Sequence, residues 1–326
     1  MSIWQTEKWW KMILESKQAE SVFDIWWIQV EKRSLWLGQF WLFIIWLDYT
    51  KDWIENKAAE IEQLLVNLTT KENVLFIQVE VLNYSWELKN KFFDLRLMDF
   101  WFYKKFLIEY TAFIDLTQTE EEILAWMKPK GRYNIKLATK KWVEVIDVDK
   151  TKENIELFYD LITETTSRDN FNWNSIDYYT KFLKLIDSSK LLLAHIDWTV
   201  IAWWIFTYEW DEAIYYYWAS TSKKEYRNLM APYLIQWEAI KIGKINWSKL
   251  YDFLWVAPPW LENHSLSWVT DFKLKFTKNV ERVSESYIFI RKPFIFKVLK
   301  LIKKIKPFIT KLKSKLFSKK NKTSQK

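Results

Sequence analysis

The sequence contains no cysteine, two histidines and only three glycines in 326 residues. Without cysteine there is no disulfide framework, no thiolate metal site and no thiol nucleophile. His195 and His264 are the only imidazoles. Neither a histidine-rich zinc site nor a Ser-His-Asp triad is therefore expected, and His195, inside an apolar run, reads as a structural strand residue. Long apolar runs are also missing: the longest, Leu35 to Leu47, is too short to span a bilayer and contains Gln39. Residues 1–11 lack the basic-then-apolar pattern of a secretory signal, so the expected location is the cytoplasm. The length suits two domains, each with its own buried core.

The shortage of glycine is matched by an excess of tryptophan. Ordinary chains carry roughly 7% glycine, whereas this one has 3 Gly and 24 Trp. Strand-rich folds need glycine at turns, helix ends and bulges, because only glycine reaches positive φ without steric cost. Together the two residue types make up about 8% of the chain, near the share they normally take jointly. Local context agrees. Asp197-Trp198-Thr199 separates two strand-like runs where a tight hairpin calls for Asp-Gly. Trp210 stands at a second turn, and Asn246-Trp247-Ser248 follows a helical segment that Asn-Gly would end. We read the gene as one in which UGA encodes glycine, so that most of these tryptophans stand where glycine belongs. The other reading is a Trp-rich surface made for carbohydrate or a membrane interface.

The net charge of +8 is unevenly spread. Residues 291–326 hold 14 Lys and Arg and no acid, which leaves the other 290 residues at −6. Within this tail Phe294, Val298, Leu301, Ile302, Ile305, Ile309, Leu312 and Leu316 recur at helical spacing, with a break at Pro307. Such a basic amphipathic segment suits peripheral contact with an anionic membrane or with RNA phosphates. The body alternates helical and strand patterns. Glu55 to Thr69, Thr119 to Met127, Lys152 to Thr166, Ser175 to Ile186 and Ala231 to Ile242 predict helices. Val74 to Val81, Ala112 to Leu116, a meander over Leu191–Ile196, Val200–Tyr208 and Ala213–Tyr217, and Tyr251 to Leu254 predict strands. Three strands, a helix and a further strand make an acetyltransferase-like order. Two such passes place the seam near Val148: residues 1–147, completed by about 278–290, form one domain, 148–277 the second, and 291–326 the tail.

Several motifs then occur in a fixed order: Met127-Lys-Pro-Lys-Gly-Arg-Tyr-Asn-Ile-Lys-Leu-Ala138, Lys140-Lys-Trp-Val143, Ala202-Trp-Trp-Ile205, Tyr215-Tyr-Tyr-Trp-Ala-Ser220, Arg227-Asn-Leu-Met-Ala-Pro-Tyr-Leu234, Gln236-Trp-Glu-Ala239, Tyr251-Asp-Phe-Leu-Trp255 and Phe272-Lys-Leu-Lys-Phe276. Over roughly residues 4–290 the chain resembles the FemABX peptidyltransferase family. Glycine at Trp142, Trp203, Trp204, Trp218, Trp255 and Trp268 improves the match, whereas Trp237 and Trp9 match as tryptophan. The resemblance implies an α/β fold of two tandem acetyltransferase-like domains with a cleft between them and no coiled-coil arm. It implies an aminoacyltransferase that moves Gly, Ala or Ser from an aminoacyl-tRNA co-substrate, with no further cofactor and no metal. The acceptor would be an amine of the stem peptide of a nucleotide- or lipid-linked peptidoglycan precursor, forming an interpeptide bridge. By the same resemblance Lys273, with Phe272, stabilises the tetrahedral intermediate. Arg168 holds the precursor's phosphates, Tyr215 and Tyr217 line the cleft from one face of a strand, and Asp115 lies near the acceptor amine. Two other functions stay open: an acyl-CoA-dependent N-acyltransferase on the same fold, and a non-catalytic, membrane-associated binding protein. The first calls for a glycine-rich loop at a helix start, where Arg227 to Pro232 offers Met230 and Ala231.

Overall fold

The computed structural model describes residues 3–48, 57–82, 109–169, 172–302 and 305. The first elements are α1 (Glu7–Glu15), β1 (Ser21–Ile25), β2 (Ile28–Ser34), β3 (Phe40–Asp48), α2 (Ala58–Lys71), β4 (Phe76–Leu82), β5 (Tyr110–Asp115), α3 (Glu120–Trp126) and α4 (Pro129–Lys140). There follow β6 (Glu144–Val148), α5 (Lys152–Asp169), α6 (Ile176–Leu185), β7 (Ser189–Ile196), β8 (Thr199–Glu209), β9 (Glu212–Ser220) and α7 (Ala231–Ile245). The last are β10 (Leu250–Val256), α8 (Ser267–Lys273), β11 (Val280–Arg282), β12 (Ser284–Ile290) and a helix over 293–302, here α9. Among the described residues no helix is long and apolar enough to cross a membrane.

The chain divides into two compact units, and the division is not at Val148. One unit comprises Met1–Gln18 with Leu107–Ser284, the other Ala19–Phe106 with Glu285–Lys326. The first carries a seven-stranded sheet in the order β11-β5-β10-β9-β8-β7-β6. A boundary at 147/148 would cut β6, which pairs antiparallel with β7 from Glu144↔His195 to Val148↔Leu191. It would also part β5 from β10, its antiparallel neighbour. Residues 1–18 belong to this unit because Lys8 pairs with Asp187 (2.6 Å) and Glu209 (3.3 Å) and Trp9 packs edge-on to Phe182. The second unit has a five-stranded sheet, β1-β2-β3-β4-β12, whose core includes Ile28, Val30, Leu42, Ile44, Ile61, Leu65, Ile77 and Val79.

The segment after 290 is likewise not wholly a tail. Helix α9 buries Phe296 and Leu299, with the Phe296 ring edge-on to Phe76 at 5.5 Å. The amides of Arg291 and Lys292 donate to the Leu75 carbonyl. The predicted stripe Phe294, Val298, Leu301, Ile302 and Ile305 points the other way and is exposed. Ile309, Leu312 and Leu316 lie outside the described residues.

Local chemistry sets the elements of both units. Thr119 and Glu122 form a reciprocal capping box that starts α3. Helix α4 begins at Pro129 and passes so close to the end of α8 that a Cβ on Gly131 would lie 2.5 Å from the Lys275 carbonyl oxygen. The β7–β8 hairpin turns on Asp197 and Trp198, both at positive φ (45° and 62°), the backbone that a two-residue primed turn requires. Trp26 and Trp27 do the same between β1 and β2, and Trp210 lies at φ 48° between β8 and β9. Trp247 (φ 60°) and Trp142 (φ 61°) follow the caps of α7 and α4. The amides of Ser248 and Val143 return to the carbonyls of Gly243 and Ala138, the hydrogen-bond pattern of a helix end that favours glycine. Six tryptophans thus occupy left-handed backbone that costs a side chain about 1–2 kcal/mol per residue.

Opposite stability effects are expected at these two kinds of position. Trp142 and Trp247 are 81% and 87% exposed, so Trp→Gly at either removes strain with little loss of packing. The unfolding free energy should rise by up to about 1 kcal/mol each. Gly131→Ala should lower it by about 1–3 kcal/mol, because backbone rather than a flexible side chain blocks the methyl. Urea denaturation of the three variants checks both signs.

Candidate functional site

Strand β10 does not pair regularly along its length. Its register with β5 shifts between Asp252 and Trp255, and Leu254 sits at φ 54°. A bulge of this kind re-aims the groups around it, and here it gathers a buried polar cluster on the first unit's sheet. Oδ1 of Asp252 accepts from the Leu254 amide (2.6 Å) and from the Thr111 hydroxyl across the strand pair. Lys273, the last residue of α8, is only 6% exposed. Its Nζ donates to the Trp255 carbonyl at 2.9 Å and stands 5.5 Å from the centre of the Tyr215 ring. Thr270 fixes the helix by accepting from the Ala257 amide at 2.7 Å. Burial pushes the Lys273 ammonium down to about 7, opposed by attraction to Asp252. The Asp252 carboxyl is raised by burial, against the pull of its hydrogen bonds and of Lys273. Tyr215 packs against Trp204 and Phe206, and nearby Tyr251 donates to Gln236 at 2.5 Å. An amine near neutrality, able to carry or release a proton where water is scarce, suits stabilising a developing negative charge.

The FemAB family model matches residues 84–200 and 198–304. The chain belongs to the FemAB family. No curated protein matches it in sequence. Among solved structures, "Crystal structure of FemX" is similar over 92% of this chain and 94% of that one, with 13% identity and a TM-score of 0.76. The C-terminal domain of a putative lysylphosphatidylglycerol synthetase from Agrobacterium fabrum follows at 10% identity and a TM-score of 0.56, covering 90% of each chain. A conserved protein of unknown function from Bacteroides thetaiotaomicron has the same TM-score and identity, over 87% of this chain and 90% of its own. The fold is therefore mixed α/β in two sheet-bearing units and is similar to that of FemX.

The structure brings together some of the residues that the FemABX resemblance singled out. Lys273 and Tyr215 meet at the bulge. Lys273 is helical and buried. Phe272 beside it packs edge-on to Tyr233 (5.2 Å) and Phe276 (5.3 Å), so it holds the end of α8 against the core. Tyr217 does not share a face with Tyr215. The β8–β9 register shifts so that Phe206 pairs with Tyr215 and Ile205 with Tyr217, and the extra residue reverses the alternation. Tyr217 consequently packs on Tyr178, Tyr179 and Phe182, and its hydroxyl lies 2.8 Å from that of Tyr178.

Arg168 and Asp115 lie apart from the bulge. Arg168, exposed in the last turn of α5, donates to the Ser220 carbonyl (3.2 Å) and to Ser222 Oγ (3.3 Å). Asp115 pairs with Leu250 while Thr111 pairs with Trp255, which puts it about 13 Å down the strand from Thr111. Its carboxylate accepts from the Thr117 hydroxyl and amide, and these bonds lower its pKa. It lines a separate cavity of about 160 Å³ with Gln118, Trp126 and Lys278.

Sequence reasoning missed Asp252 and Thr111. Asp252 lies inside the quoted Tyr251-to-Trp255 motif, and an acid in an otherwise apolar strand was the available signal. Thr111 carried none. The second unit also hides polar groups that no pattern announced: Arg33 Nε donates to Glu31 at 2.6 Å, and the Glu80 carboxylate accepts from Gln78 at 2.6 Å and from Ser286.

The lowered pKa of Lys273 makes stability depend on pH. Between about pH 7 and 10.5 the unfolded chain binds a proton there that the folded chain has released, so the unfolding free energy should rise with pH across that window. Below it, burial of the ammonium costs stability. Lys273→Met should flatten the profile, and urea denaturation of both proteins at pH 6, 8 and 10 reads the difference.

Proposed function

We propose that this FemAB family member transfers an amino acid from an aminoacyl-tRNA to an amine of the stem peptide of a peptidoglycan precursor, building an interpeptide bridge. The observation that carries the proposal is the buried Lys273, tied to the bulge of β10 and facing Tyr215. Family membership supports the interpeptide-bridge transferase class; the donor and the individual roles rest on the chemistry. The neutral acceptor amine attacks the ester carbonyl, the C–N bond forms and negative charge builds on the carbonyl oxygen. Protonated Lys273 stabilises that oxyanion, with Asp252 supporting its positive charge. As the intermediate collapses, the bond to the ribose oxygen breaks and that oxygen takes the proton shed by the amine. Because the ester is already activated, alignment and oxyanion stabilisation suffice, which accords with a chain lacking cysteine. Arg168 would hold precursor phosphates through its planar fork. An acyl-CoA donor has less support: α7 starts after Met230 at φ 57°, with buried Ala231 where a glycine-rich cradle would be needed.

The proposal includes the tryptophans. In the cell of origin we expect glycine at Trp142, Trp198, Trp210 and Trp247, where the backbone is left-handed, and at Trp203, whose buried indole nitrogen has no partner among the described residues. Trp204 and Trp218 belong to the same expectation through their motifs. Tryptic mass spectrometry of the native protein should find glycine at these positions. Tryptophan-bearing peptides there would refute it.

Activity tests use the glycine-containing gene. Lys273→Met should cut turnover by about 10²- to 10³-fold with acceptor KM nearly unchanged, since the interaction strengthens in the transition state. Arg168→Met should raise acceptor KM and spare turnover. Near-full turnover of Lys273→Met would remove the catalytic assignment.

A further inference from the structure

Helix α9 is apolar on two opposite sides. At about 100° per residue, Phe294, Val298, Leu301 and Ile302 fall within an arc of roughly 100°, while Phe296 and Leu299 lie on the far side. The far side is the anchor: Phe296 and Leu299 are buried, and Lys292 Nζ donates to the Asn73 carbonyl at 2.8 Å. The near side has no such role, since Phe294 is 77% and Leu301 57% exposed. A row of large apolar side chains held outward by a docked helix marks an interaction surface. Lys297 flanks it, and the sequence continues with Lys303, Lys304 and Lys306.

We propose that the outer face of α9 docks the protein on an anionic lipid surface, apolar residues entering the headgroup boundary and lysines meeting the acidic headgroups. Charge selects this occupant. From residue 291 to the end the chain has 14 basic residues and no acid, so a second copy pairing through this same face, or residues 306–326 folded back, would bring like charge onto like. RNA would meet the lysines but leave the apolar row uncovered, whereas an interfacial helix uses both. The proposal does not depend on the transferase reading, because membrane docking is measured without turnover.

The test is co-sedimentation of the full chain with vesicles of phosphatidylcholine alone or with phosphatidylglycerol at one part in three. The wild type should bind the anionic vesicles, bind phosphatidylcholine weakly, and release as salt rises. Phe294→Asp/Leu301→Asp should weaken binding at least about tenfold, with an unchanged melting temperature showing that the anchor of α9 is intact. Leu301→Asp alone gives an intermediate loss and serves if the double variant folds poorly. Equal binding by variant and wild type, or no preference for anionic lipid, overturns the proposal. So does a shift from dimer to monomer in the variant without loss of vesicle binding, which would assign the face to a second copy, or a selective loss of tRNA binding, which would assign it to RNA.

Discussion

The cluster at the bulge of β10 depends on one unfavourable act, the burial of a lysine. An ammonium removed from water is tolerated only where other groups replace hydration, and here the cluster around it is built from three strands. The Trp255 carbonyl is supplied by the bulge, the Tyr215 face by β9, the Asp252 carboxyl by β10, and its hydroxyl partner Thr111 by β5. None is adjacent to Lys273 in sequence. The sheet order β5-β10-β9 makes them neighbours, and α8 lays the lysine across them.

Two of the register breaks in this sheet have different consequences. In β10 the break turns a carbonyl toward the ammonium and places Leu254 in left-handed backbone, concentrating polar groups. In β9 it separates Tyr215 from Tyr217, sending one to the lysine side and the other into an aromatic cluster with Tyr178, Tyr179 and Phe182. A regular strand would have put both tyrosines on one face. The break thus leaves Tyr215 to face the lysine, and gives Tyr217 to packing.

Much of the local structure was legible in sequence, because it follows from short-range rules. The β7–β8–β9 meander showed continuous apolar runs divided by two-residue turns, and the helical pattern over Thr119 to Met127 predicted α3. The left-handed turn positions were legible even though tryptophan occupies them, since flanking Asp197 and Asn246 still mark the turn and the helix end. Helix α4 was not read as a helix: Pro-Lys-Gly at its start and Asn and Thr within it mask the period. The unit boundary was hidden because it is discontinuous; residues 1–18 and 107–284 join only through pairing across long stretches of chain. The bulges were hidden for the same reason, being properties of two strands together. The apolar period of α9 was seen, but which of its two faces is buried depends on Phe76, more than two hundred residues earlier.

The central claim is that Lys273 interacts with charge that exists only midway through the reaction. The most direct measurement is the affinity of wild type and Lys273→Met for a phosphonate that mimics the tetrahedral intermediate, beside their affinity for the unreacted stem-peptide acceptor. The account predicts that the variant loses about 10²- to 10³-fold in phosphonate binding, matching its loss in turnover, while acceptor binding is nearly unchanged. Equal phosphonate affinity in the two proteins would contradict it.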